Sequence, residues 1–142
     1  MKKLVFLCVV LFSLIGACDK SKDKNDIKPV TLNKFIITDE TPIDNCSSRN
    51  LSNKIIYFMS KYCPHCQQVK PIIRRIIKEE KLEKYYEEFD LADENARIKF
   101  EKCNCFVELQ FVPVLVVNCQ VLPGARSEKD YTDLLKKFKM SL

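Results

Sequence analysis

Tryptophan is absent from this 142-residue chain, histidine occurs once and glycine only twice. Any imidazole chemistry therefore falls on His65. Long apolar runs are missing too. The longest, Leu4–Ile15, has twelve residues. As a helix it would span about 18 Å, short of the roughly 30 Å hydrocarbon core, which argues against a membrane-spanning segment. The chain also lacks a strong charge surplus, with 24 Lys and Arg against 19 Asp and Glu. Two of those bases, Lys2 and Lys3, lie in a segment expected to be removed. The remaining excess is too small and dispersed to point to nucleic acid. The length suits one domain with one core rather than two. A hydrophobic share of 46% and a charged share of 30% place that domain among soluble globular ones.

Cysteine, by contrast, is abundant at eight residues. Lys2 and Lys3 followed by the short apolar run read as an export signal. The run ends Ile15-Gly16-Ala17-Cys18, which resembles the lipobox of bacterial lipoproteins. That resemblance implies a signal peptide over residues 1–17, cleavage before Cys18 and lipidation of Cys18. The alternative is an ordinary signal peptide with a chance cysteine at its end. Residues 18–30 then form the anchor and a tether, because the stretch from Asp19 to Pro29 has almost nothing to bury and cannot offset its ordering entropy. The protein is expected in the bacterial cell envelope, facing the periplasm or exterior, with residues 31–142 as its domain.

With Cys8 in the signal and Cys18 lipidated, Cys46, Cys63, Cys66, Cys103, Cys105 and Cys119 remain. In an exported chain these read as disulfides or redox groups, and six cysteines allow fifteen pairings. Cys103 and Cys105 are separated by one residue, a spacing that rarely bonds internally because disulfides need suitable Cβ directions. Each is expected to pair with Cys119 or Cys46, with a second redox relay or a soft-metal site as alternatives.

Periodicity gives the elements. Thr31–Thr38 reads as an edge strand, and Ile43–Leu51 as a short helix or loop. Ile55–Met59 is a short apolar run suited to a strand buried on both faces. Directly after it comes Cys63-Pro64-His65-Cys66. A helix follows, with Val69, Ile72, Ile73, Ile76 and Ile77 on one face and Pro71 expected to kink it. Tyr85–Leu91 is a second strand and 92–102 a helix. Val112–Val117 is another buried strand with proline near its start, Asn118-Cys119-Gln120 a turn, and Val121-Leu122 a return strand. Ser127 and Asp130 form a capping box for a last helix with Tyr131, Leu134, Leu135 and Phe138 on its apolar face. The order β-α-β-α-β-α-β-β-α describes an α/β sandwich with a central mixed sheet.

Strand, C-P-H-C, a helix carrying Pro71, and the later Val112-Pro113 strand resemble the thioredoxin superfamily over roughly residues 31–142. The resemblance implies a three-layer sandwich with a central mixed β-sheet flanked by helices. It also implies a thiol–disulfide oxidoreductase needing no cofactor and no metal. Its partners would be exported proteins with thiols or disulfides and a membrane redox protein. Cys63 and Cys66 are then catalytic. Val112 and Pro113 form the substrate-binding loop, with a cis bond between them. The residue types agree. Exchange requires a thiolate. A sulfur at a helix start meets unsatisfied N–H groups and the positive end of the macrodipole, which favour the anion. Pro64 suits the first helical position, having no N–H to waste. His65 adds a donor or a charge near the sulfur, so Pro64 and His65 tune the couple. Pro-His between the cysteines resembles DsbA-type proteins and implies a relatively oxidising pair.

The sequence also departs from these relatives. Tyr57 stands where thioredoxin and DsbA carry a buried acid, and Tyr62 where thioredoxins have tryptophan. The glutaredoxin double glycine is replaced by Pro123-Gly124-Ala125-Arg126, and the large DsbA helical insertion is missing. Three other functions stay open at this point: a reductant for cytochrome c maturation, a copper or zinc carrier using Cys63, Cys66, Cys103 and Cys105, and a non-catalytic scaffold lipoprotein.

Overall fold

The computed structural model describes residues 33–103, 105 and 107–142. The signal peptide, Cys18, the tether and the start of the first expected strand lie outside them. Strand β2 (Ile55–Met59) occupies the middle of the molecule, and all five of its residues are buried. It pairs in parallel with β3 (Tyr86–Asp90) and antiparallel with β5 (Val114–Val117), which turns back as β6 (Gln120–Pro123). The result is a mixed four-stranded sheet of order β3-β2-β5-β6. A separate parallel pair joins β1 (Phe35–Ile37) to β4 (Val107–Leu109).

Alternation along β2 sorts its side chains into two cores. Ile55, Tyr57 and Met59 meet the apolar faces of α1 (Pro64–Glu79) and α3 (Glu128–Met140), including Ile73, Ile76, Tyr131 and Leu135. Each such isoleucine contributes roughly 1.5–3 kcal/mol relative to an exposed one. Ile56 and Phe58 face the other way, toward Ile37, Leu51, Phe89 and Val107. Phe100 of α2 (Glu94–Lys102) closes this side with its ring 5.0 Å from Phe58 and 5.5 Å from Phe89. The chain is thus mixed α/β, with three helices and a mixed sheet among the described residues.

Helix ends follow their sequence signals. Ser127 and Asp130 cap α3 reciprocally, as the capping box predicts. Helix α1 is one continuous element through Pro71, with no break at the expected kink. It ends with Leu82 N–H bonding Ile77 O and Lys81 N–H bonding Lys78 O, a Schellman arrangement. Lys81 takes the left-handed position at φ 58°, where glycine is usual.

Two expectations change. First, an additional short strand, β4, follows α2, while 43–51, expected as a short helix or loop, takes the second form as turns. Asn45 and Asn50 adopt positive φ, which interrupts helical backbone, and the buried Arg49 binds Asp44 at 2.8 Å across the turn. Second, Cys103 and Cys105 do not pair with Cys46 or Cys119. They bond each other, and Cys46 bonds Cys119. The reason is local. Cys103 is the C-cap of α2, and its Cα lies 5.3 Å from that of Cys105, within bonding range. Cys119 sits in the two-residue β5–β6 turn, where Asn118 and Cys119 both have positive φ, as a type I′ turn requires. Its carbonyl accepts the Ile43 N–H at 2.9 Å, which brings Cys46 to it.

Candidate active site

The loop leaving β2 is held by short-range bonds before it reaches Cys63. Asp90, the last residue of β3, accepts the Lys61 N–H at 3.1 Å and the Ala92 N–H at 3.0 Å through the same oxygen. Gln67 donates to Lys61 O at 2.6 Å, and Cys63 N–H bonds Ser60 O at 3.0 Å. Cys63 thereby becomes the N-cap of α1, with Pro64 as the first helical residue. The Cys63 sulfur accepts the Cys66 N–H at 3.2 Å. A sulfur acceptor at an N-cap occupies the place usually held by a Ser or Asp oxygen, and the anion is the stronger acceptor.

The two thiols are unequal. Cys63 is half-buried, and Cys66 is completely buried beneath it. Burial pushes the Cys66 thiol up to about 11, and the neighbouring Cys63 adds to the rise. The Tyr57 hydroxyl works in the opposite direction on that thiol and donates to the Cys66 carbonyl at 3.1 Å. Tyr57 is itself fully buried, and burial raises its phenol well above the ordinary range, so it stays a neutral donor.

Across the cleft, the Cys63 thiol lies 3.7 Å from the Val112 carbonyl. The Val112–Pro113 bond is cis. Pro113 O accepts the Gly124 N–H at 2.8 Å, and Gly124 has φ 73°, which glycine supplies without strain. Tyr131 caps this corner by accepting the Arg126 N–H at 3.0 Å. The structure so brings together Cys63, Cys66, Pro64, Val112 and Pro113. His65 is exposed on the first turn of α1 and bonds none of them among the described residues. Tyr62, 76% exposed, and Phe111, 39% exposed, give the rim an apolar character.

Cys103 and Cys105 lie elsewhere. They share a cavity with Lys54, just before β2, whereas Cys63 follows the other end of that strand. The four-sulfur set considered for a metal carrier is therefore not assembled. Asp90 was missed as a site residue. Its one sequence signal is an acid closing the strand that lies beside the motif strand. No family model matches this sequence, and no curated protein does.

Proposed function

We propose that this protein is a thioredoxin-like thiol–disulfide oxidoreductase, exported and lipid-anchored through Cys18, that exchanges disulfides with exported proteins through Cys63 and Cys66. The observation that carries it is the Cys63 sulfur, which caps a helix, accepts an amide at 3.2 Å and faces Val112 beside a cis proline. The thioredoxin-like topology is supported by the central β2 followed by the motif helix, its parallel partner β3, and the antiparallel β5 and β6.

In the oxidising direction a substrate thiolate attacks the Cys63 sulfur of the Cys63–Cys66 disulfide. Cys66 leaves as a thiolate and takes up a proton, leaving a substrate–Cys63 mixed disulfide. A second substrate thiolate then attacks its own bonded sulfur and Cys63 leaves as a thiolate. The substrate gains a disulfide and the pair holds the two electrons. Partial exposure makes Cys63 the sulfur a protein substrate can reach, and the buried Cys66 acts only within the chain. The neighbouring Val112 backbone and the Tyr62 and Phe111 rings present an edge and an apolar rim to that substrate. Pro64 and His65 set how strongly the reduced form is preferred, at about 30 mV per tenfold change.

The test is a redox titration of the purified domain against glutathione, read by alkylation of Cys63 and Cys66, with insulin reduction as the activity readout. The couple is expected above the thioredoxin value of about −270 mV, and Cys63→Ser is expected to abolish insulin reduction. A pair that neither titrates nor reduces insulin would end the proposal.

A further inference from the structure

We propose that the Cys103–Cys105 disulfide is a second thiol-exchange site, independent of Cys63 and Cys66, and that its co-substrates are small anionic thiols. Three observations carry it. The first is chemical. Two cysteines only two positions apart have bonded each other, although Cys46–Cys119 already staples this end of the molecule across 73 positions. A bridge closing so small a loop removes little freedom from the unfolded chain, so structural reinforcement is a weak reason for it.

The second is access. Both cysteines line an open cavity of about 210 Å³ on the α2 side of β2, together with Phe89. Cys103 is partly exposed at the end of α2, and Cys105 is buried behind it, 2% exposed. The cavity is smaller than the roughly 300–1,000 Å³ of sites for drug-sized ligands, which suits a thiol of a few heavy atoms.

The third is charge. Lys54, Lys99 and Lys102 stand around this cavity with one acid, Glu87, which pairs with Lys99 at 3.4 Å. Among the described residues Lys54 and Lys102 have no ion-pair partner, so two ammonium groups are left facing an incoming molecule. They favour an anionic nucleophile and stabilise the thiolates that exchange produces.

The steps balance. A thiolate attacks the sulfur of Cys103, the more exposed of the two residues, the Cys103–Cys105 bond breaks, and Cys105 leaves as a thiolate. A second thiolate attacks the small-molecule sulfur of the mixed disulfide, and Cys103 leaves. The Cys105 N–H, which bonds the Cys103 sulfur at 3.2 Å, receives that charge. Two small thiols become one disulfide, and their two protons end on Cys103 and Cys105.

The experiment treats the oxidised full chain, folded and in low salt, with 2-mercaptoethanesulfonate, 2-mercaptoethanol or cysteamine. Opening of each disulfide is followed by alkylation and peptide mass spectrometry. Each rate is divided by that thiol's rate with an unstructured peptide disulfide. Cys103–Cys105 should open well before Cys46–Cys119. The sulfonate should outpace the amine about tenfold, and 0.5 M salt should compress that ratio. Lys54→Gln with Lys102→Gln should remove the preference without changing Cys63/Cys66 exchange. Opening only together with Cys46–Cys119 overturns the proposal. So does equal reactivity toward the three thiols, or a charge preference that survives the lysine substitutions.

Discussion

With its thiol pushed up to about 11, Cys66 is ionised in only about one chain in 10⁴ at pH 7. An ordinary cysteine near 8.5 would be ionised in about one in 30, so burial, with Cys63 adding to it, makes the resolving thiolate far scarcer. For the proposed chemistry this has a direct kinetic consequence in the reducing direction, where Cys66 attacks the mixed disulfide held on Cys63. Cys63 is loaded with thionitrobenzoate, and expulsion of the dye by Cys66 is followed by absorbance. Modifying Cys63 removes what that thiol adds to the rise, and burial of Cys66, the largest single cause, remains. The rate should climb about tenfold per pH unit from 7 to beyond 9. Tyr57→Phe removes the neutral donor that pulls the thiol down, so the whole profile should move to higher pH. At pH 7 the variant should be about fivefold slower, the worth of one hydrogen bond of about 1 kcal/mol. A profile that flattens near pH 8.5 would refute the assignment of Cys66 as a buried, proton-retaining thiol, and one that ignores Tyr57→Phe would refute the donor role of Tyr57. The sign also holds for folding. A raised thiol leaves stability intact below the unfolded value near 8.5 and erodes it as pH rises toward 11.

The two disulfides should differ sharply in thermal melts. Loop entropy gives about 4.4 kcal/mol for Cys46–Cys119 and about 1.5 kcal/mol for Cys103–Cys105. At about 4 °C per kcal/mol, Cys46→Ala with Cys119→Ala should lower Tm by roughly 18 °C and the other pair by roughly 6 °C, and equal losses would contradict this. Lys81→Gly relieves a left-handed residue at the end of α1 and should raise stability by about 0.5–1 kcal/mol in urea denaturation. Asp90→Ala frees the Lys61 and Ala92 amides and should cost about 1–2 kcal/mol. It should also slow the reaction of Cys63 with a peptide disulfide, and an unchanged rate would show that the motif loop holds itself.

Much of this arrangement was legible from residue order. The run Ile55–Met59, the motif at a helix start and the Ser127–Asp130 box are signals whose physics is local, and β2, α1 and α3 follow them. Val112 beside Cys63 required the family resemblance, because nothing within either segment encodes their meeting. Where local signals were weak, they misled. Val107–Leu109 is three residues with a glutamate at its centre, and it is a strand only because β1 pairs with it. The end of α2 at Lys102 was legible, but the pairing of Cys103 with Cys105 depended on the approach of their Cα atoms to 5.3 Å just past it, which no periodicity marks. Asp90 carries no motif, and its role exists only because β3 lies beside β2.

Tyr57 has one more consequence. A carboxylate beneath the cysteines could take a proton and hold it between steps, whereas a phenol held this far from ionisation cannot. In the proposed reducing direction, the proton that Cys66 gives up as it attacks would therefore leave for a base outside this core. Turnover should rise with the concentration of a small buffer base at constant pH and ionic strength, so that the medium itself becomes a reactant.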